Sequence, residues 1–212
     1  MHLARADFDE QFDPELVALP DPSRQGRALT VSVLGVAALA ALAMVLALRH
    51  DVAYAMTVST AASLGDLRIA GDAALTPCEN RFVHGESLLG AAGGIRYERL
   101  FSGDTFRAMP VAGRRDIWVE VRVPEGQESG RWEPPREFTG RLVRFEAGGP
   151  RHRGLASAIE RTTHERLPSG AWLLVDSEDP ARARWVLVLA ATFLSFAAWH
   201  LAAIAKMVRK LS

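Results

Sequence analysis

The chain has 212 residues, 25 Lys and Arg against 25 Asp and Glu, 49% apolar residues and one cysteine. That length suits one modest core rather than a multidomain enzyme. Zero net charge excludes the basic excess of a general nucleic-acid binder, and one cysteine excludes a disulfide framework or a multi-cysteine metal site.

Residues 1–27 form an acidic tail, with Arg5, Arg24 and Arg27 set against Asp7, Asp9, Glu10, Asp13, Glu15 and Asp21. Phe8, Phe12, Leu16 and Val17 lie at near-helical spacing before the Pro20-Asp21-Pro22 break. A segment this short cannot bury those groups by itself, so it is expected to be disordered or to dock on a partner. Residues 28–48 follow, without a formal charge and rich in Ala, Leu and Val. About 20 such residues cross a hydrocarbon core of ~30 Å, which predicts a transmembrane helix. The acidic leader and the long apolar run suit a retained signal-anchor better than a cleaved signal peptide.

Residues 49–184 carry equal numbers of Arg and acidic residues and read as an extracytoplasmic β-rich domain. After a linker-like Thr57–Gly65 stretch, strand patterns occur around Leu67–Ile69, Ile95–Tyr97, Thr105–Met109, Asp116–Val123, Phe138–Phe145 and Trp172–Val175. The clearest is Asp116–Val123, whose Ile117, Val119, Val121 and Val123 alternate with Trp118, Glu120 and Arg122. Gly and Pro clusters such as Gly93-Gly94, Pro134-Pro135 and Pro168-Ser169-Gly170 punctuate them. One helix is expected over Leu155–Leu167, burying Leu155, Ala158, Ile159 and Thr162. The predicted fold class is therefore α+β: two transmembrane helices flanking a small antiparallel β-barrel or sandwich with one helix.

Chemistry-bearing motifs are sparse. Gly85–Gly90 has the gap of a phosphate loop, but Ala91 and Ala92 stand where Lys and Ser or Thr are needed. Cys78 and His84, flanked by Glu79 and Glu86, are the candidate metal ligands, since thiolate and imidazole suit copper or zinc. His152 and His164 read as solvated residues, and the interleaved Arg population as an ion-paired surface. Within that population Arg141–Arg153, around Phe145, form a basic segment able to meet acidic headgroups or a partner. Scattered acids such as Glu120, Glu146 and Glu160 leave open an envelope enzyme without a recognisable motif.

Residues 185–205 predict the second transmembrane helix. Ala191, Ser195, Ala198, Ala202 and Ala205 recur at spacings of three and four, a stripe that lets helices approach closely in lipid. The first span repeats the rhythm with Ala37, Ala40, Met44 and Ala47. His200, beside Trp199, suits an interfacial girdle; His50 lies at the opposite membrane face, so the two cannot share a haem. Residues 206–212 form a basic tail that anchors on inner-leaflet headgroups. Basic residues outside the two spans outnumber those at the loop ends, which places both termini in the cytoplasm of a bacterial inner membrane.

One span at each end with an outside β-domain between resembles the plan of the Surfeit-type cytochrome oxidase assembly factors. The likeness is one of layout: that family's Trp-Gln pair after the first span and its Asn-His-Leu…Tyr-Ala pattern entering the last are absent. It implies an assembly role and carries over no residue. The expected function is a non-enzymatic scaffold without a cofactor, bound to membrane lipids and to a membrane or envelope protein or a second copy of the chain. The alternatives are an assembly factor handling metal or haem through Cys78 and His84, and an enzyme.

Overall fold

The computed structural model describes residues 24–90, 93–98, 103–127, 132–147 and 149–209. It contains a mixed α+β arrangement in two compact units, one comprising residues 43–194 and the other, among the described residues, 24–42 with 195–209. The acidic tail with Phe8, Phe12, Leu16 and Val17 lies outside the described residues, as does the end of the basic tail.

Helix α1 runs Arg24–Ala55 over 32 residues, or ~48 Å at 1.5 Å per residue. A second long helix covers Trp185–Arg209, 25 residues and ~38 Å. Both are long and apolar enough to cross a membrane, and only 11% of each apolar window is buried. A core helix of a water-soluble domain would be covered, whereas here Leu29, Val33, Val36, Leu39, Val188 and Trp199 are all exposed.

In the chain between these helices, a seven-stranded sheet is formed by β1 (Ala62–Asp66), β2 (Arg81–Glu86), β3 (Ile95–Glu98), β4 (Thr105–Pro110), β5 (Ile117–Arg122), β6 (Glu137–Arg144) and β7 (Trp172–Asp176). The order is β1-β2-β6-β7-β5-β4-β3, with β1 and β3 at its two edges. The sheet is open and mixed, not the expected antiparallel barrel or sandwich, because β1–β2 and β5–β7 pair in parallel. Parallel neighbours need a crossover connection, and the crossovers cover the sheet. The β1–β2 crossover includes α2 (Asp72–Leu75) and a 3₁₀ turn (Thr76–Cys78). Its Leu67, Ala70 and Leu75 pack with Val83, Ile117, Val119, Phe138, Leu142, Trp172 and Leu174. The β6–β7 connection carries α3 (Gly149–Thr163), whose Leu155 and Ile159 pack with Trp118, Val143, Leu173 and Val175 on the other face.

Both faces of the sheet are therefore buried. Trp118 and Glu120, on the opposite face of β5 from Ile117 and Val119, are 4% and 0% exposed. Leu67–Ile69 is a turn rather than a strand, burying Leu67 and exposing Ile69. The first strand instead begins inside the stretch expected to be a linker. Strand β2 carries too few apolar residues to show an alternation, and Gly85 within it leaves room for Leu67, whose Cδ2 would lie 2.8 Å from an added Cβ. The remaining element, α4 (Pro180–Ala183), leads from β7 into α5, the long helix Trp185–Arg209.

Two interactions fix the ends of this arrangement. Gly140 on β6 faces Asp176 on β7, and an added Cβ would sit 1.8 Å from the Val175 carbonyl oxygen. Arg114 in the β4–β5 turn pairs with Asp116 and donates from Nη1 to the Ala70 carbonyl at 2.8 Å, joining the turn to the crossover. Gly140→Ala should cost about 3 kcal/mol, since backbone rather than a movable side chain must give way; denaturation of the full chain in detergent measures it. The Arg114 hydrogen bond holds the Asp116 carboxyl below its ordinary value, so its contribution is complete above about pH 4 and is lost as pH falls through the folded value. Asp116→Asn should therefore lower the melting temperature at neutral pH, with the gap to the parent closing below pH ~4.

Candidate functional site

Residue parity along β6 sets the site. Val143 and Phe145 belong to the cluster under α3, and alternation puts Arg141 on the same face. Its register neighbours are Phe82 on β2 and Val175 on β7. The side chain is 6% exposed, and a guanidinium so placed has five N–H donors to satisfy. Nε donates to Asn80 Oδ1 at 2.8 Å, and Nη1 to Asp51 Oδ1 at 2.7 Å and Glu178 Oε1 at 3.2 Å. Nη2 donates to the His50 carbonyl at 3.3 Å, and the guanidinium carbon lies 4.5 Å from the Tyr54 ring centroid.

The partners hold one another as well. Tyr54 is fully buried, and its hydroxyl donates to the Glu178 carbonyl. Asn80 Nδ2 donates to the His50 carbonyl at 2.9 Å, while its backbone N–H donates to Leu142 at 2.7 Å. Asn80 and Ser177 sit at φ 57° and 61°, which turns the chain sharply at the start of β2 and the end of β7. Asparagine tolerates that left-handed region better than most residues. Arg141 thus joins the end of α1, the turn before β2 and the segment after β7.

Beside this cluster opens a cleft of about 550 Å³. Its polar wall includes Asp104, Arg122, His152, Asp176, Asp179 and Arg182, and its apolar wall includes Ala47, Leu48, Trp185 and Val186. Arg122 Nη2 contacts Asp104 at 2.6 Å. Asp176 accepts from the Thr139 N–H at 3.0 Å and from the Ser177 hydroxyl at 3.1 Å. Asp179 caps α4 by accepting from the Ala181 N–H at 2.8 Å, with Pro180 at the first helical position. A second cavity of about 620 Å³ lies between the end of α3 and the β4–β5 turn, lined in part by Arg114, Arg115, Glu165 and Arg166.

The candidate metal ligands are not brought together. Cys78 packs against the core on the crossover side. His84 alternates with Val83 of that same core, so it projects from the opposite face, where Nδ1 lies 2.8 Å from Thr139 Oγ1. No group of three or more His, Cys, Asp or Glu that could hold a metal occurs among the described residues. Ala191, Ser195, Ala198, Ala202 and Ala205 are all exposed in the single chain. The covered small residues are instead Ala190 and Ala197 on α5 and Ala38 and Ala41 on α1. On α1, Ala40, Met44 and Ala47 are likewise exposed.

His200 Nδ1 lies 2.8 Å from the Phe196 carbonyl oxygen one turn back. His152, read as solvated, is 5% exposed because it falls on the buried stripe of α3 with Leu155 and Ile159. Glu146 and Glu160 accept from the N–H groups of Gly170 and Leu167, so both hold the turn that leads into β7. No family model matches the chain, and neither a curated protein nor a solved structure matches it.

Sequence reasoning assigned Arg141 to a surface population. The signal that it differs lies in parity, since it shares a strand face with Val143 and Phe145. Arg141→Ala should cost about 3 kcal/mol, because Asp51 and Glu178 lose their shared cation. Arg141→Lys should restore about half of that, an ammonium reaching a carboxylate but not Asn80 and His50 together. Denaturant titration of both variants in detergent checks the order.

Proposed function

We propose that the chain is a two-span membrane protein that binds or scaffolds another membrane or envelope component through residues 49–184, outside the cytoplasm. Both helices cross the bilayer in this reading, with the two tails on the cytoplasmic side of a bacterial inner membrane. The Arg141 cluster is the observation that carries it. It fastens the end of α1, through Asp51 and Tyr54, to the interior strand β6 of the sheet. A domain tethered by a loose linker would search freely, whereas one bonded to its own helix end meets partners in the membrane plane at a defined height.

Surface features agree with a binding role. Met56, Val58 and Ile69 are large apolar residues, all more than 70% exposed. Edge strand β1 carries no charge before Asp66 and pairs on one side only, and such an edge accepts an added strand. The exposed small-residue stripe on α5 is free in the single chain to meet a helix of a partner or of a second copy.

Two labelled positions test the topology in a Cys78→Ser background. Val58→Cys should react with a membrane-impermeant maleimide in intact spheroplasts, and Lys206→Cys only after permeabilisation; the reverse order would overturn the reading. At native expression, mild-detergent purification should recover the chain with a stoichiometric protein partner or as a homo-oligomer. A lone monomer would count against scaffolding.

A further inference from the structure

The two runs that would fill the hydrocarbon core end at Leu48 on α1 and begin at Trp185 on α5. Both residues line the 550 Å³ cleft. If the helices span, as proposed above, the bilayer boundary passes through this cleft, so its apolar wall faces acyl chains and its polar wall lies at headgroup depth.

The charges there select among headgroups. Arg122 is engaged by Asp104, and Arg141 by Asp51 and Glu178. His50 accepts from Arg49 Nε at 3.2 Å, and His152 is buried on α3. Asp176, Asp179 and Arg182 are left lining the cleft without an ion pair among the described residues. The two carboxylates accept hydrogen bonds from backbone or hydroxyl donors and retain further lone pairs. A ligand that answers this set carries an ammonium with N–H donors beside a phosphate, on an apolar body.

We infer that the cleft is a binding site for a phosphoethanolamine lipid headgroup. The ammonium donates to Asp176 and Asp179, the phosphate meets Arg182, and the start of an acyl chain lies on Ala47, Leu48, Trp185 and Val186. A phosphoglycerol headgroup brings only negative charge toward two carboxylates. A phosphocholine headgroup has the positive charge but no N–H to donate. The inference rests on the two-span reading, and the test separates them.

The full chain is extracted in mild detergent, delipidated, and reconstituted into nanodiscs containing equal parts of phosphatidylethanolamine, phosphatidylglycerol and phosphatidylcholine. Lipid retained after gentle release from the discs is counted by native mass spectrometry. About one phosphatidylethanolamine per chain should be held, in about tenfold preference over each of the others, the ratio that one charge-assisted hydrogen bond supplies. Asp176→Asn with Asp179→Asn, which keeps a capping oxygen on α4, should abolish the preference over phosphatidylcholine. Arg182→Gln should weaken retention of all three lipids. Ala47→Trp, on an exposed helix position at the cleft wall, should block retention without altering a charge. Equal retention of the three lipids by the parent chain, or a preference unchanged in the double Asn variant, would overturn the inference. A chain released from native membranes by alkaline carbonate overturns the spanning reading and this site with it. A chain retained in the membrane but indifferent to headgroup overturns only the site.

Discussion

One buried guanidinium carries the geometry of this protein. Arg141 projects from the middle of the sheet and is the point where three separated stretches of chain meet: the end of α1, the turn before β2, and the segment after β7. Burying a cation is costly unless its donors are satisfied. Here its donors meet the side-chain oxygens of Asn80, Asp51 and Glu178 and the His50 carbonyl, which Asn80 also holds. Arginine suits the task where lysine would not, because its planar fork addresses several acceptors at once while its face lies against the Tyr54 ring. The sharp turns at Asn80 and Ser177 are what bring those acceptors within reach.

The rest of the domain follows from how the two parallel pairings are connected. Each requires a crossover, and the two crossovers lie on opposite faces: Leu67–Leu75 on one, α3 on the other. The consequence is a sheet buried on both sides although its strands are short. This explains why Trp172, Leu173, Leu174 and Val175 run as consecutive buried residues in β7 rather than alternating. It also explains why the outer strands need less apolar content, as Ala62–Asp66 at one edge shows.

Much of this was legible in sequence, and the limits are physical. The two long helices follow from length and apolar content alone, and five of the seven strands from local apolar patterns bounded by turn residues. Pairing direction does not, because β5 and β7 meet across a connection that includes β6 and α3. Strand β2 was hidden because Gly85 contributes no side chain and His84 and Glu86 are polar, yet its pairing with β6 is complete. At the site, composition pointed to Cys78 and His84, the residue types of metal chemistry, and the fold sends them to opposite faces. Arg141 and His152 carried the better signal: each shares strand parity or helix register with buried apolar neighbours, so a polar residue in an apolar stripe was the mark to follow.

The balance of Arg against acid across residues 49–184 then takes on a spatial meaning. Several guanidiniums of the domain are paired within the fold: Arg68 on Asp66, Arg114 on Asp116, Arg115 on Glu165, Arg122 on Asp104, and Arg144 on Glu79. Exposed pairs of this kind add only ~0–1 kcal/mol each to stability, so their main effect is to cancel the long-range field of the domain. A surface cancelled in this way does not attract partners by net charge and must recognise them by shape, apolar contact and strand edges. Arg182 and Arg184, neither in an ion pair among the described residues, lie just before the apolar run of α5. In the proposed two-span reading Arg182 then lies at headgroup depth on the same cleft as Asp176 and Asp179, so that boundary presents both signs of charge and suits a zwitterionic headgroup rather than a purely anionic surface.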